Sequence, residues 1–362
     1  MLPRGKNKRI VFVSGGSFGH FLPSLEYARI FRDRGCKVFF LTNRREFLKI
    51  IKDDNFEGSI INIGFFRYQP AGVLLRSLAY LLFSSVQSLL YLVRIRPKFV
   101  FLFGGYPCLM PGLICLILRI PFLLHEQNVL YGKANKFLAP WAKGVGVQEW
   151  TKSLHPRKEF ICPLPLRKEF REYSATPQEA RFSLGLAPYK KTLLFMGGSQ
   201  GSRFINNLFL EAQEYFKGRD FQFIIICGRK EFPYFERFSQ KEGVKVFGFY
   251  ESIWRVWRAS SLAVMRAGIL SLYEGLFSGV GIVAIPYPYA GRHQVVNALY
   301  FQRRGLVKVF LEKHSHQSIL KYIEQRLDNE YFQVPRSSCK IVFRDPQKFL
   351  LDGVGKCLKQ QF

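Results

Sequence analysis

Val11-Phe12-Val13-Ser14-Gly15-Gly16-Ser17-Phe18-Gly19 and Leu193-Leu194-Phe195-Met196-Gly197-Gly198-Ser199-Gln200-Gly201 repeat one design at a separation of 182 positions. Each is an apolar run that breaks into a glycine-rich turn. The run reads as a buried strand. The turn reads as a place where backbone N–H groups can face an anion at the start of a helix. Two such units in 362 residues predict two similar α/β domains with a cleft between them.

Around the first copy, strands are expected at 10–14, 37–42, 60–63, 99–103, 122–125 and 144–148, with a helix at 23–34. Around the second, strands are expected at 192–196, 221–227, 244–247, 262–265, 281–285 and 307–310. The helices expected there cover 203–217, 251–259, 270–278, 294–303 and 315–328. This alternation predicts parallel, helix-covered sheets. Pro163, Pro165 and the polar stretch 167–178 mark a boundary. The expected domains are 8–165 and 166–342, with a terminal segment 343–362 carrying a last helix.

The glycine pattern is GGxxG rather than the GxGxxG of a dinucleotide site. Such a site also wants an acid at the end of the second strand. Here those ends read Leu41-Thr42-Asn43-Arg44 and Ile226-Cys227-Gly228-Arg229. The nicotinamide reading therefore falls for both copies, and the Walker pattern is absent. The turns remain candidates for phosphate or sugar hydroxyls.

Lys and Arg outnumber Asp and Glu by 54 to 26, a net charge of +28. That asks for a negative partner: nucleic acid, an anionic bilayer or a phosphorylated substrate. No nucleic-acid module is visible. The seven cysteines are odd in number and none is spaced CxxC, which argues for free thiols in a reducing compartment. The apolar run before Gly15 is too short for a signal peptide. Residues 73–93, VLLRSLAYLLFSSVQSLLYLV, are interrupted by Arg76 and a group of serines and followed by Arg94, Arg96 and Lys98. Two readings stand for them: an ordinary crossover helix, or a helix whose apolar side sits in lipid headgroups. Either way the chain reads as peripheral to an anionic membrane rather than integral.

The densest polar cluster is late. Met265-Arg266-Ala267-Gly268-Ile269-Leu270-Ser271-Leu272-Tyr273-Glu274 reads as a strand opening into a helix. The first amides, near Leu270 and Ser271, suit a diphosphate. Glu274, one turn or less into that helix, can accept from a ribose diol, or serve at N3 of a capping box with Ser271. The loop Pro286-Tyr287-Pro288-Tyr289-Ala290-Gly291-Arg292-His293-Gln294 follows the next strand, where such folds place specificity. There Arg292 can neutralise phosphate, and His293 and Gln294 can bond sugar hydroxyls.

Together these stretches resemble the MurG family of N-acetylglucosaminyltransferases, within glycosyltransferase family 28. The resemblance rests on GGSFGH at 15–20, GGYPCLMPG at 104–112, HEQN at 125–128, GGSQGSR at 197–203, RAGILSLYE at 266–274 and the Gln294/Asn297 region. It implies a GT-B fold of two Rossmann-like domains and a terminal segment that crosses back onto the first. It also implies inverting transfer of N-acetylglucosamine from UDP-N-acetylglucosamine to the 4-hydroxyl of lipid I, giving lipid II, on the cytoplasmic face of the inner membrane. The implied partners are those two substrates, an anionic membrane surface and other cell-wall synthesis proteins, with no nucleic acid. The resemblance makes His20 the candidate general base. It places Ser17, Gly19, Tyr106 and Asn128 on the acceptor. It places Arg167, Ser199, Phe249, Leu270, Ser271, Glu274, His293 and Gln294 on the donor. The chain contains no DxD sequence, so no cofactor or obligate metal is expected.

The chain departs from the family pattern at three places. Phe18 replaces a glycine, and is expected to strain the turn and narrow the acceptor entrance. Leu164-Pro165-Leu166-Arg167 and Gly291-Arg292-His293-Gln294 replace the usual hinge and glutamine loops. His20 retains a second reading, as a group that only positions phosphate. Two rivals remain: a GT-B transferase with another lipid or saccharide acceptor, and a non-catalytic membrane- or RNA-binding protein on the same fold.

Overall fold

The computed structural model describes residues 8–62, 71–198, 200–289, 292–328 and 345–359. The chain forms two compact units, one from residues 1–165 with 345–362 and one from 166–344.

In the first unit, strands β1 (Arg9–Val13), β2 (Lys37–Thr42), β3 (Glu57–Ile60), β4 (Phe99–Leu102), β5 (Phe122–Glu126), β6 (Gly144–Val147) and β7 (Glu159–Ile161) make one sheet in the order β3-β2-β1-β4-β5-β6-β7. Every pairing in it is parallel. In the second unit, β8 (Lys191–Met196), β9 (Phe221–Ile226), β10 (Val244–Phe247), β11 (Leu262–Met265), β12 (Gly281–Ala284) and β13 (Lys308–Val309) run in the order β10-β9-β8-β11-β12-β13, again all parallel. The strand order reverses beside β1 in one sheet and beside β8 in the other. Those are the strands that feed the two glycine turns, so each turn lies at the switch point where open α/β sheets bind ligands.

Parallel strands covered on both faces read as continuous apolar runs, and these do. Phe12 is fully buried and meets Phe31, Phe40, Phe101 and Phe103 at ring-centroid distances of 5.3–5.8 Å. Much of the Phe content is thus spent inside the first core. The last helix, Pro346–Lys359, packs on β6 and β7. Glycine makes that approach possible. A Cβ on Gly144 would lie 2.3 Å from Cys357 Sγ, and one on Gly353 2.0 Å from the Phe160 ring.

Several boundaries differ from the sequence expectation. The first helix is Phe18–Asp33 and holds Pro23 inside it, whereas Pro23 was expected to open it. Strand β3 ends at Ile60 rather than starting there; its short, half-buried EGSI carries little hydrophobic signal. Strand β7 is an edge of three residues that the pattern does not announce.

The tract 73–93 lies in a helix, Ala71–Ile95, which packs against the helix Leu109–Ile117. Its described side chains bury Leu92 and Ile95 in the core, but along the middle of the helix small polar residues take inward places and large apolar ones face out. Ser84 and Ser88 face the protein, their hydroxyls bonded to carbonyls of their own helix, at Leu81 and Ser84. Leu82, Phe83, Val86, Leu90 and Val93 face outward, with Leu82 63 % and Leu90 64 % exposed. No helix among the described residues is long and apolar enough to cross a membrane.

Candidate active site

The first turn is tied by a residue from the next strand. Asn43, just past β2, accepts from the Gly16 amide through Oδ1 (2.9 Å) and donates through Nδ2 to the Tyr106 hydroxyl (2.8 Å). A Cβ on Gly15 would stand 2.2 Å from Asn43 Oδ1, so the turn needs glycine there. The Ser17 amide donates back to Gly15 O (2.9 Å). Two amides expected to face an anion are thereby committed inside the loop. The helix-opening amides at Phe18 and Gly19, ahead of the i→i−4 ladder, are what the turn brings to an anion. Ser17 has the extended backbone of an N-cap, and its hydroxyl makes no cap bond. Burial raises the Tyr106 phenol above its ordinary range, against the pull of Asn43 and Arg44.

Phe18 corrects an expectation. It is the first residue of the helix and is not among the positive-φ positions, so it carries no left-handed strain. Its ring packs on Phe47 and Phe21, at 4.9 and 6.4 Å.

His20 lies on the same opening turn, with Nδ1 3.1 Å from Gln127 Nε2. The Gln127 carbonyl is held by the Trp150 indole N–H (2.8 Å). Its neighbour Glu126 is buried and organises the loop that follows. One carboxylate oxygen accepts from the amide and Nδ2 of Asn128, the other from the Gly132 amide and Asn135 Nδ2, all at 2.8–3.0 Å. A carboxylate only accepts, so the Asn128 carboxamide must turn its amino group toward Glu126. His125 is buried between Tyr27 and Phe103, and burial pushes its pKa down to about 3.

In the second unit, two glycines replace the asparagine tie. Gly201 and Gly228 both have left-handed φ (+75° and +93°). A Cβ on Gly201 would lie 2.3 Å from Cys227 O, and one on Gly228 2.7 Å from Gly201 Cα. Ser202 caps the helix Arg203–Tyr215 by accepting from the Ile205 amide. Ser199, expected on the donor, lies outside the described residues.

After β11 the helix Ile269–Phe277 begins with Gly268 as N-cap. Its first ladder bond runs from the Leu272 amide to Gly268 O (3.0 Å), so the amides of Ile269, Leu270 and Ser271 precede the ladder. The capping-box reading of Ser271 and Glu274 fails, because Ser271 is inside the helix. Glu274 is the sixth helical residue, more than a turn in. It is buried and pairs with Arg167 (3.0 Å). Burial raises its carboxyl above the ordinary range, while Arg167 pulls it back. The Arg167 guanidinium also meets the rings of Phe170 and Trp254, at 5.1 and 5.5 Å.

The Arg229 guanidinium covers the Phe249 ring at 4.7 Å. Gln294 Oε1 accepts from the Tyr287 amide (3.0 Å), so its amino side is what it can offer a ligand. His293 opens its helix just after Arg292, which is left-handed at φ 60°. Arg266 is engaged with Glu312, the Ile285 carbonyl and the Tyr287 ring. Among the described residues, no three His, Cys, Asp or Glu side chains are grouped to hold a metal ion.

Residues 10–147 match the glycosyltransferase family 28 N-terminal domain, and residues 192–348 the C-terminal domain of the same family. The chain is a member of glycosyltransferase family 28. It is therefore an enzyme that transfers a sugar. Among family 28 relatives, one from Bartonella quintana is 31 % identical over 313 residues, covering 84 % of this chain and 82 % of the relative. One from Protochlamydia amoebophila is 29 % identical over 333 residues, covering 89 % and 88 %. Both are named UDP-N-acetylglucosamine--N-acetylmuramyl-(pentapeptide) pyrophosphoryl-undecaprenol N-acetylglucosamine transferase. The crystal structure of Acinetobacter baumannii MurG superposes with a TM-score of 0.70 at 22 % identity, covering 97 % of this chain and all of that one. This is a GT-B architecture of two parallel-sheet domains.

Within this family 28 chain, the first unit gathers Ser17, Gly19, His20 and Tyr106 around its switch point, with Asn128 on the neighbouring loop. The second gathers Leu270 and Ser271 on the helix opening, with the Arg167–Glu274 pair behind it. Sequence reasoning missed Asn43, Gln127 and Glu126. Asn43 stood where an acid was sought, and Gln127 and Glu126 were quoted in the HEQN run without a role.

Proposed function

We propose that the chain transfers N-acetylglucosamine from UDP-N-acetylglucosamine to the 4-hydroxyl of the muramoyl sugar of lipid I, with inversion, producing lipid II. The observation that carries this is the match over 333 residues to a relative named as an N-acetylglucosamine transferase acting on pyrophosphoryl-undecaprenol, together with family matches at 10–147 and 192–348 that include both glycine turns. The Leu270–Ser271 helix opening holds the donor diphosphate. Glu274 takes the ribose, Phe249 flanks the base, and Arg167, His293 and Gln294 complete the donor contacts with Ser199. Ser17, Gly19, Tyr106 and Asn128 hold the acceptor. His20 takes the hydroxyl proton as UDP leaves, as a positioned imidazole can by general-base catalysis.

The outward row of Leu82, Phe83, Val86, Leu90 and Val93, followed by Arg94 and Arg96, sits against the cytoplasmic face of the inner membrane. Apolar side chains enter the headgroup layer there, and the arginines meet anionic lipid. A first domain of residues 8–165, a donor domain of 166–342 and a terminal helix returning to the first complete the reading.

The test is UDP release from UDP-N-acetylglucosamine in the presence of a lipid I analogue. Acceptor-dependent release with formation of the β-linked disaccharide is expected. His20→Ala should lower turnover by roughly 10²–10⁴-fold while UDP-N-acetylglucosamine still binds. Release that ignores the acceptor, or full turnover without His20, overturns the corresponding assignment.

A further inference from the structure

Two histidines of the first unit each face a glutamine carboxamide, and the two pairs are built differently. The His125 pair is locked. Gln148 Oε1 accepts from the Leu164 amide (2.7 Å), so its Nε2 is the atom that donates to Cys162 O (2.7 Å) and faces His125 Nε2 (3.1 Å). An amide nitrogen only donates. With Nε2 accepting from that amide, neutral His125 carries its proton on Nδ1, which is buried with no hydrogen-bond partner.

The Gln127 carboxamide, which faces His20, has no such lock at its oxygen. Gln127 Nε2 faces His20 Nδ1 at 3.1 Å, while Gln127 Oε1 is buried without a hydrogen-bond partner. The backbone of Gln127 is anchored through its carbonyl to Trp150, so only the carboxamide is at liberty to turn. As it stands, the amide donates to Nδ1 and neutral His20 holds its proton on Nε2. A half-turn about the terminal side-chain torsion exchanges oxygen and nitrogen with almost no change of shape. It would put Oε1 on an Nδ1–H and leave Nε2 able to accept.

We propose that Gln127 governs the tautomer of His20, and so decides whether that ring meets the acceptor as a hydrogen-bond donor or as a proton acceptor. This rests on the acceptor-site reading above. In the reactive setting, the acceptor oxygen bonds to the sugar carbon as its O–H bond breaks, and the proton moves to His20 Nε2. The other proton stays on Nδ1, donated in a hydrogen bond to Gln127 Oε1, and the electron pair of the broken bond from the sugar carbon to the diphosphate oxygen leaves with UDP. Gln127 is a positioning residue in this step, acting through His20.

The experiment reads the ring directly, by two-bond ¹H–¹⁵N correlation of the histidines in the full chain. Wild type, Gln127→Glu and Gln127→Met are compared, with the His125 signal reporting that the core is intact. Wild type is expected to show His20 protonated at Nε2. Gln127→Glu, which can only accept, is expected to move the proton to Nδ1. Gln127→Met is expected to leave a mixture. A His20 tautomer unchanged by both substitutions overturns the proposal. Turnover is measured in parallel: Gln127→Met should lose kcat, by up to roughly 10²-fold, with KM for UDP-N-acetylglucosamine unmoved. A tautomer that moves without any change in kcat sustains the Gln127 assignment and removes the base role of His20.

Discussion

In the first unit the glycine turn is held by a side chain: Asn43 reaches from the end of β2 to the Gly16 amide and on to Tyr106. In the second, the corresponding strand end offers Cys227 and Gly228, and backbone presses on backbone at Gly201. The contrast extends to the functional groups beside the turns. The carboxamides of Asn43 and Gln127, with the buried Glu126 carboxylate bonded to amides, arrange the first site. A buried ion pair, Arg167 with Glu274, stands in the second. A turn tied by a side chain can be loosened by replacing that side chain, whereas one closed by backbone contact is disturbed by adding a Cβ to its glycines.

The sharpest way to break the comparison is to load each side where it is stiffest. Arg167→Met leaves the Glu274 carboxylate buried without its cation and should cost about 3–5 kcal/mol, read by urea denaturation. Adding Glu274→Gln should recover much of it, while UDP-N-acetylglucosamine binding stays impaired. Next comes Gly201→Ala, which meets Cys227 O and demands left-handed alanine; about 2–4 kcal/mol is expected. Gly198→Ala, left-handed but with nothing within 4 Å, should cost only about 1 kcal/mol. Equal costs at the two glycines would remove the backbone-contact account.

Asn43→Leu tests the first turn. It strands the Gly16 amide for about 1–2 kcal/mol, and should weaken use of the lipid I analogue while donor binding holds. A separate readout is the pH response of His125. Its folded pKa, about 3, lies below the ordinary histidine value near 6.5. Between those values the unfolded chain binds the proton and the folded chain does not, so stability falls as pH drops through that window. The slope from this group is at most ~1.4 kcal/mol per pH unit. His125→Gln should flatten acid denaturation curves there, after any fixed loss is subtracted. The least effect on folding is expected from Leu82→Gln with Leu90→Gln, within about 0.5 kcal/mol. The same pair should abolish sedimentation with anionic vesicles; undiminished binding would remove the lipid-facing role of that helix.

The duplicated strand-turn design, the parallel order of both sheets and the apolar tract were legible because they depend on local patterns. Apolar runs, glycines and helical periodicity act within a few residues of themselves. The edges β3 and β7 were not, since EGSI and EFI carry too little burial to stand out. At the site, His20, Tyr106 and the Leu270–Ser271 opening were legible as motif positions. Asn43 was read only for the acid it lacked, and its bond to Gly16 spans 27 residues. The capping box failed because helix start depends on where β11 releases the chain, which spacing does not report.

By itself, the sequence determined two α/β units, a basic chain with an apolar helix, and a glycine turn after the first strand of each unit. These follow from residue chemistry and period alone. Only the tertiary structure decided which amides those turns spend internally, that Phe18 enters a helix without strain, and that Glu274 rests on Arg167. It also decided that the Gln148 carboxamide is pinned at its oxygen while the Gln127 oxygen is buried without a hydrogen-bond partner. Each of those outcomes depends on which distant donor or acceptor arrives at a buried polar atom. A hydrogen bond in a dry interior must be satisfied by whatever the fold brings there.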